Sequence, residues 1–337
     1  MTMNESELLL LSANQVKSIV SGQEKELVSL VREAYLLHSQ NKSVLPNSVF
    51  LTFPDLERER IIGLPAYIGG SFDAAGLKWI SSFPENVKQG KERASAVMIL
   101  NSLKDGRAQA IIDGTYISAS RTGASAALAG TTLRRDHANG VVVLIGCGPI
   151  NLEVVRYLKV LGYPTSTYLV YDLDKDRADA FAKQINAIDS INPCEVCSVM
   201  KLALGAGHLI SIATSAVTPF ITSLDACLPG SVILHVSLRD IIPECLSEVE
   251  NVVDDAEHVC RANTSIHLLE KLRGNRHHIR CELADILSGD NSAYTNENSV
   301  TVFSPFGLGV LDLALASWIY KQACKNELGA KFPFYDL

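Results

Sequence analysis

The sequence predicts an α/β protein of two parts, a parallel-sheet nucleotide-binding domain and a discontinuous α+β domain, and three observations carry the prediction. Residues 141–145 (Val-Val-Val-Leu-Ile) run directly into Gly146-Cys147-Gly148-Pro149-Ile150, the pattern of a buried parallel strand opening onto a phosphate-binding turn. A helical pattern follows, then a second strand-like run over residues 166–171, closed by Asp172. Ahead of these, two helical patterns give way at Val44 to glycine-punctuated strand patterns that read as a mainly antiparallel sheet. The first two features define a Rossmann-type domain over residues 131–309. The third defines an α+β domain over residues 1–130 and 310–337, to which the closing apolar helix is expected to return.

The totals agree with two cores. A chain of 337 residues is too long for one compact core. A net charge of −7 without a Lys/Arg cluster gives no footprint for nucleic acid or an anionic membrane. No apolar run is long enough to span a bilayer, and Glu5 and Glu7 precede the first leucines, the wrong flank for a secretory signal. Eight cysteines in so long a chain do not make a disulfide framework, so a cytoplasmic location is expected.

In the first third, Ser12-Ala13-Asn14-Gln15 fits a capping box before a short helix. Leu27, Leu30, Val31, Ala34 and Leu37 keep helical spacing through residues 24–40. Strand patterns cover residues 49–53, 60–67, 75–82, 94–100 and 108–112, with Asp105-Gly106 as a hairpin turn. Three charged positions stand out: Lys78 inside the apolar run Gly76-Leu77-Lys78-Trp79-Ile80, Glu92-Arg93 at the mouth of a strand, and Arg121 in a helix of small residues. Each fits a strand edge or helix surface with its charge in water. Lys78 and Arg121, lone cations among apolar or small neighbours, equally fit a pocket for an anionic substrate.

In the middle, Gly146 and Gly148 supply two glycines of a dinucleotide fingerprint, with Asn151 in the third slot, a departure that predicts slightly looser helix–strand contact. Pro149 and Ile150 open the helix, whose free N–H groups suit a pyrophosphate. Asp172 is placed for a ribose hydroxyl and puts negative charge where a 2′-phosphate would lie, so NAD is favoured over NADP. Thr214 and Ser215, at the end of a strand pattern, are expected to line the cofactor. Asp240 admits two readings, a residue facing the cofactor end of the sheet or a helix N-cap before Ile241-Ile242-Pro243. Ser304 and Gly307, in a glycine-rich turn after a strand, are placed to border the nicotinamide. Cys194-Glu195-Val196-Cys197 has no second Cys/His pair at zinc spacing and reads as structural, so no metal site is expected. His277-His278 reads as a solvated loop or helix face, and residues 274–299 as helix and loop.

These residues together resemble the ornithine cyclodeaminase/mu-crystallin family over nearly the whole chain. The match includes Gly76 to Ile80, Ile117 to Thr122, Ile145 to Gly148, Tyr171-Asp172, Ser237 to Asp240 and Ser304 to Gly307. The resemblance implies that Lys78 is the active-site lysine and Asp240 the catalytic aspartate, and that Arg121 grips a substrate carboxylate and stands with Thr122 beside the cofactor. It also places Gly148, Asp172 and Ser304 next to NAD, and implies a homodimer formed through the first domain's sheet. Where members often carry a further carboxylate-binding arginine, this chain has Phe50-Leu51-Thr52-Phe53, leaving that load to Arg93 or Lys78. Within the family, Lys78-Trp79-Ile80 and residues 92–101 are most similar to the branch that makes L-2,3-diaminopropionate for siderophores and peptide antibiotics. The implied activity is NAD-dependent oxidative hydrolysis of N-[(2S)-2-amino-2-carboxyethyl]-L-glutamate to L-2,3-diaminopropionate and 2-oxoglutarate. The alternatives are an ornithine cyclodeaminase, alanine dehydrogenase or ketimine reductase, and more remotely a non-catalytic mu-crystallin-like binding protein.

Overall fold

A computed structural model describes residues 7–134 and 139–335; Glu5 lies outside the described residues. The chain divides into two compact units, Met1–Arg121 with Leu308–Leu337, and Thr122–Gly307. The first boundary falls inside a helix at Arg121 rather than at residue 130.

The first unit opens with strand β1 (Glu7–Leu11), helix α1 (Ala13–Val20) and helix α2 (Glu24–Ser39). Gln15 Oε1 accepts the Ser12 N–H at 3.0 Å, and Ser12 and Gln15 form the anticipated capping box. The strands are β2 (Ser43–Val44), β3 (Val49–Phe53), β4 (Leu56–Ile68), β5 (Ala74–Ser82), β6 (Ala94–Asn101) and β7 (Ala108–Asp113). Helix α3 (Thr115–Thr132) carries Arg121 and runs on into the second unit. The sequence pattern missed β1, because four consecutive leucines show no strand alternation. It is a buried strand lying parallel to β7, with Leu8, Leu9 and Leu11 in the core.

The second unit contains β8 (Gly140–Ile145), α4 (Pro149–Val160), β9 (Thr165–Tyr171), α5 (Lys175–Ile188), β10 (Cys194–Val196), α6 (Met200–Ala206), β11 (Leu209–Ile212) and β12 (Val232–His235). Then come β13 (Glu250–Val253), α7 (Ala256–Val259), α8 (Ser265–Arg273), β14 (Ile279–Glu282), α9 (Leu283–Ser288) and β15 (Thr301–Ser304). Its sheet has the order β10-β9-β8-β11-β12-β15-β13-β14, and every pairing is parallel. Val143, Ile145, Ile210, Ile212, Ile233 and Val302 fill its core. Strands buried on both faces read as unbroken apolar runs, which is why this sheet was legible. Two expectations fail here. Residues 279–282 form a strand inside the stretch expected to be helix and loop. His278 is buried, 7 % exposed, with Nε2 3.2 Å from the Ile266 carbonyl oxygen, and only His277 is solvated.

The chain then returns to the first unit with α10 (Gly309–Lys325) and β16 (Ala330–Pro333). That unit's sheet runs β16-β1-β7-β6-β5-β4-β2, with β3 also paired to β4. In register, Leu64 lies opposite Lys78 and Lys78 opposite Met98, so the three share a face. Asp312 of α10 reaches Lys78 from that side. The other face carries Val49, Leu51, Trp79 and Val97, all substantially exposed.

Candidate active site

In the first unit, β5, α3 and α10 bring three charged side chains together. Lys78 Nζ donates to Asp312 Oδ2 at 2.6 Å, and Arg121 Nε to Asp312 Oδ1 at 3.0 Å. Ser118 Oγ lies 3.4 Å from Lys78 Nζ. All three charged residues are buried, Lys78 3 %, Arg121 9 % and Asp312 0 % exposed. Burial pulls the Lys78 ammonium down to about 8 despite the attraction of Asp312, and the Arg121 charge adds to the depression. Burial alone would raise Asp312, but Arg121 and Lys78 outweigh it and hold the carboxyl below its usual range. Two cations on one carboxylate leave a surplus positive charge in a desolvated place, where a carboxylate ligand is a fitting counter-ion. This answers the choice left open by sequence: Lys78 and Arg121 are not solvated surface cations. Their acidic partner was not anticipated, although a lone acid in Gly309-Val310-Leu311-Asp312-Leu313-Ala314 is the matching signal.

Arg93 is half-buried just before β6, and its carbonyl accepts the Phe83 N–H at 2.8 Å. Burial lowers its guanidinium, and Arg60 and then Arg58 press in the same direction.

In the second unit, the strand order reverses between β8 and β11, and ligands of such sheets sit at the carboxyl ends of the strands beside that reversal. Gly146 follows β8 with φ +90°, and a Cβ there would fall 2.5 Å from the Ala213 carbonyl oxygen, so this corner admits only glycine. Gly148 is the N-cap of α4, without a side-chain cap, and has no atom within 4 Å of where a Cβ would sit. Pro149 and Ile150 form the first turn. An uncapped 12-residue helix opening onto free space at Gly148 fits a pyrophosphate. Asp172 Oδ2 accepts the Cys147 N–H at 2.8 Å and Oδ1 the Asp174 N–H at 3.0 Å, which fixes the carboxylate beside the turn. Asn151 overturns the expected loose contact. It is buried, its amide donates to the Ile145 and Gly146 carbonyls at 3.0 and 2.7 Å, and its Oδ1 accepts from Ser211 Oγ at 2.7 Å. The side chain thereby ties α4 to β8 and β11.

Asp240 is completely buried, and the short turn that follows at Pro243–Ser247 has Ile242, not Asp240, at its N-cap. Thr214 Oγ1 donates to Oδ1 and Ser237 Oγ to Oδ2. His235 Nε2 lies 3.2 Å from Oδ2 and also 3.2 Å from the Asp240 N–H, so it serves one of them at a time. Burial would raise the Asp240 carboxyl, but the contacts from His235, Ser237 and Thr214 prevail and hold it below the usual range. Ser215, next to Thr214, is exposed, and Thr122 is partly buried on α3.

Ser304 is buried at the end of β15. The turn after it is held by a residue the sequence reading missed. Asp254 accepts the Phe306 and Gly307 N–H groups, each at 2.8 Å. Its burial pushes the carboxyl up to about 6 against those hydrogen bonds. The CxxC residues lie on and beside β10 as free thiols. Among the described residues there is no His/Cys/Asp/Glu cluster suited to a metal and no helix long and apolar enough to cross a membrane.

The profile of the ornithine cyclodeaminase/mu-crystallin family matches residues 7–327. An alanine dehydrogenase of Archaeoglobus fulgidus is 27 % identical over 98 % of this chain and 100 % of its own. The N-((2S)-2-amino-2-carboxyethyl)-L-glutamate dehydrogenase of Staphylococcus aureus is 26 % identical over 98 % and 99 %. The structure of Thermococcus litoralis Δ(1)-pyrroline-2-carboxylate reductase, in complex with NADH and L-proline, superposes with a TM-score of 0.87 at 25 % identity, covering 96 % of this chain and 99 % of that one. Three different activities thus stand at nearly equal distance, and overall identity does not choose among them.

Proposed function

As the chain belongs to the ornithine cyclodeaminase/mu-crystallin family, we propose that it is an NAD-dependent oxidoreductase acting on a C–N bond of an amino acid. Its proposed substrate is N-[(2S)-2-amino-2-carboxyethyl]-L-glutamate. The observation that carries the reading is the Lys78–Asp312–Arg121 cluster, whose surplus buried positive charge calls for a carboxylate. The choice of substrate is supported by the resemblance of Lys78-Trp79-Ile80 and residues 92–101 to the diaminopropionate-forming branch.

Gly146, Gly148, Pro149 and Ile150 hold the pyrophosphate of NAD, Asp172 a ribose hydroxyl, and Thr122, Thr214, Ser215 and Ser304 border the rest of the cofactor. Bound NAD⁺ supplies a hydride acceptor for the glutamate α-carbon. Lys78 and Arg121 fix substrate carboxylates and thereby the α C–H, Arg121 also standing beside the cofactor, and Arg93 adds a further cation. Loss of the hydride leaves a substrate iminium that water attacks. Asp240, ionised, takes a proton from that water and returns one to the departing amine, with the Thr214 and Ser237 hydroxyls relaying it to the buried carboxylate. The balance is substrate, NAD⁺ and water giving 2-oxoglutarate, L-2,3-diaminopropionate, NADH and a proton. The exposed apolar face with Val49, Leu51, Trp79 and Val97 is the proposed homodimer surface, since so many large apolar side chains on one sheet face mark a partner site.

The test incubates purified protein with NAD⁺ and N-[(2S)-2-amino-2-carboxyethyl]-L-glutamate. NADH and 2-oxoglutarate appearing in equal amounts support the reading. Ammonia and proline released from ornithine with no net NADH, and no NADH from the proposed substrate, would make the protein a cyclodeaminase instead.

A further inference from the structure

In the second unit, β13 and β15 lie side by side and parallel, with Val253 opposite Ser304, so both strands end at one level. That carboxyl end is where ligands of such sheets sit. The residue after β13 is Asp254, 1 % exposed. Its Oδ1 accepts the Asp255 N–H at 2.9 Å and the Phe306 N–H at 2.8 Å, and its Oδ2 accepts the Gly307 N–H at 2.8 Å. One carboxylate therefore joins the loop after β13 to the turn after β15. Ser304 stands at the root of that turn, fully buried, and its Oγ meets no partner among the described residues. A buried hydroxyl that the protein leaves unsatisfied fits a hydrogen bond to a ligand.

Backbone N–H groups hold the Asp254 charge, and no cation among the described residues forms an ion pair with it. The titratable groups around it are few. Asp255, on the same loop, opposes its ionisation. His258 of α7 lies with Nδ1 3.0 Å from Asp255 Oδ1, and its ring meets that of Phe306 at a centroid distance of 6.4 Å. Glu282, at the end of β14, accepts the Ala256 N–H at 2.9 Å. The turn Ser304-Pro305-Phe306-Gly307 carries no titratable side chain. Burial leaves the Asp254 carboxyl titrating at about 6. Once protonated it carries an O–H donor where an acceptor stood, and a poorer partner then faces the N–H groups of the turn.

We propose that Asp254 is a positioning residue for the nicotinamide half of the cofactor, its ionised carboxylate latching the Phe306–Gly307 turn so that Ser304 meets the ligand, and its protonation releasing the latch. Asp254 acts through the backbone of the turn. The proposal rests on the reading that sets Ser304 and Gly307 beside the nicotinamide, and it adds a dependence of dinucleotide binding on pH.

The test is binding, independent of turnover. NADH and ADP-ribose, which lacks the nicotinamide, are titrated into the protein from pH 8 to pH 5. With only the ionised latch competent, NADH affinity should fall about tenfold over that range, in proportion to the fraction still ionised. ADP-ribose affinity should stay level. Asp254→Asn keeps the shape but turns an amide donor towards one of the N–H groups. It should bind NADH about tenfold more weakly than wild type at pH 8, lose nothing further on acidification, and bind ADP-ribose normally. His258→Gln should keep the acid loss, which assigns the titration to Asp254 and not to the imidazole beside it. Thermal melts at both pH values check folding, and the contrast between the two ligands in the wild type decides the matter even without a folded Asp254→Asn. NADH affinity level with pH, an acid loss that survives in Asp254→Asn, or an equal loss for ADP-ribose overturns the latch while leaving the cofactor site in place. No NADH binding at any pH removes the cofactor reading, and the latch with it.

Discussion

Lys78 and Asp312, 234 residues apart in the chain, meet at 2.6 Å inside the first unit. The carboxylate also holds Arg121, so its removal would leave two buried cations facing each other. Breaking a buried pair on one side costs about 3–5 kcal/mol, and Asp312→Ala is expected to destabilise the protein by that order in urea titration. The double variant Lys78→Met with Asp312→Leu should recover part of the loss, since apolar residues of similar volume need no counter-charge. A Asp312→Ala protein as stable as wild type would show that the cluster is hydrated rather than sealed.

The same cluster predicts opposite pH trends for binding and stability. Lys78 gives up its proton at about 8 in the folded chain, against 10.5 ordinarily. Carboxylate affinity, measured with butyrate, should therefore weaken as pH rises through 8. Between these two values the unfolded chain binds the extra proton and the folded one does not, so this group's contribution to folding stability rises with pH across that window. Lys78→Met should flatten both trends. Affinity that is level from pH 7 to 10 in the wild type would remove the lysine charge from the anion site.

What the sequence revealed, and what it hid, follows from where the partners lie. β8 and the Gly146–Gly148 turn were legible because a buried parallel strand and its turn are written in contiguous residues. Lys78 and Arg121 were visible as misplaced charges, but Asp312 was not paired with them, because only packing of α10 on the sheet brings it there. Asn151 looked like a flaw in the glycine fingerprint, and its compensation through Ser211 lies 60 residues away. β1 was missed because Leu8 to Leu11 have no period, and His278 because its burial comes from packing beside Ile266 and not from its basic sequence neighbours.

Gly146 and Gly148 should behave differently although both belong to one turn. Gly146→Ala forces a side chain into a left-handed φ and against the Ala213 carbonyl, so it should destabilise the fold by about 1–3 kcal/mol. Gly148 has φ −112° and open space around it, so Gly148→Val should fold normally while filling the place of the pyrophosphate. NADH fluorescence titration should give Gly148→Val at least about a tenfold loss of affinity, the weight of a blocked helix N-terminus, with an unchanged melting temperature. Unaltered NADH affinity would move the cofactor away from this turn. Asp172→Ala is a companion: it should weaken NAD and narrow the preference over NADP, and an unchanged preference would confine Asp172 to holding the Cys147 N–H.

Asp240 sits where proton chemistry and architecture compete. Its carbonyl accepts the Phe220 and Ile221 N–H groups, while its carboxylate gathers Thr214, Ser237 and His235. Asp240→Asn keeps the shape, and the hydroxyls of Thr214 and Ser237 can turn to accept as well as donate. The fold and NAD affinity should therefore survive. If the carboxylate exchanges protons with the reacting water, kcat should fall by about 10²–10⁴, with KM little changed. Ser237→Ala should then give a smaller loss and a shifted acid limb of the pH–rate profile, because one of the donors that hold the carboxyl low is gone. A normal kcat in Asp240→Asn would leave this residue as the peg that orders the loop after β12, and would send the search for the base to another side chain.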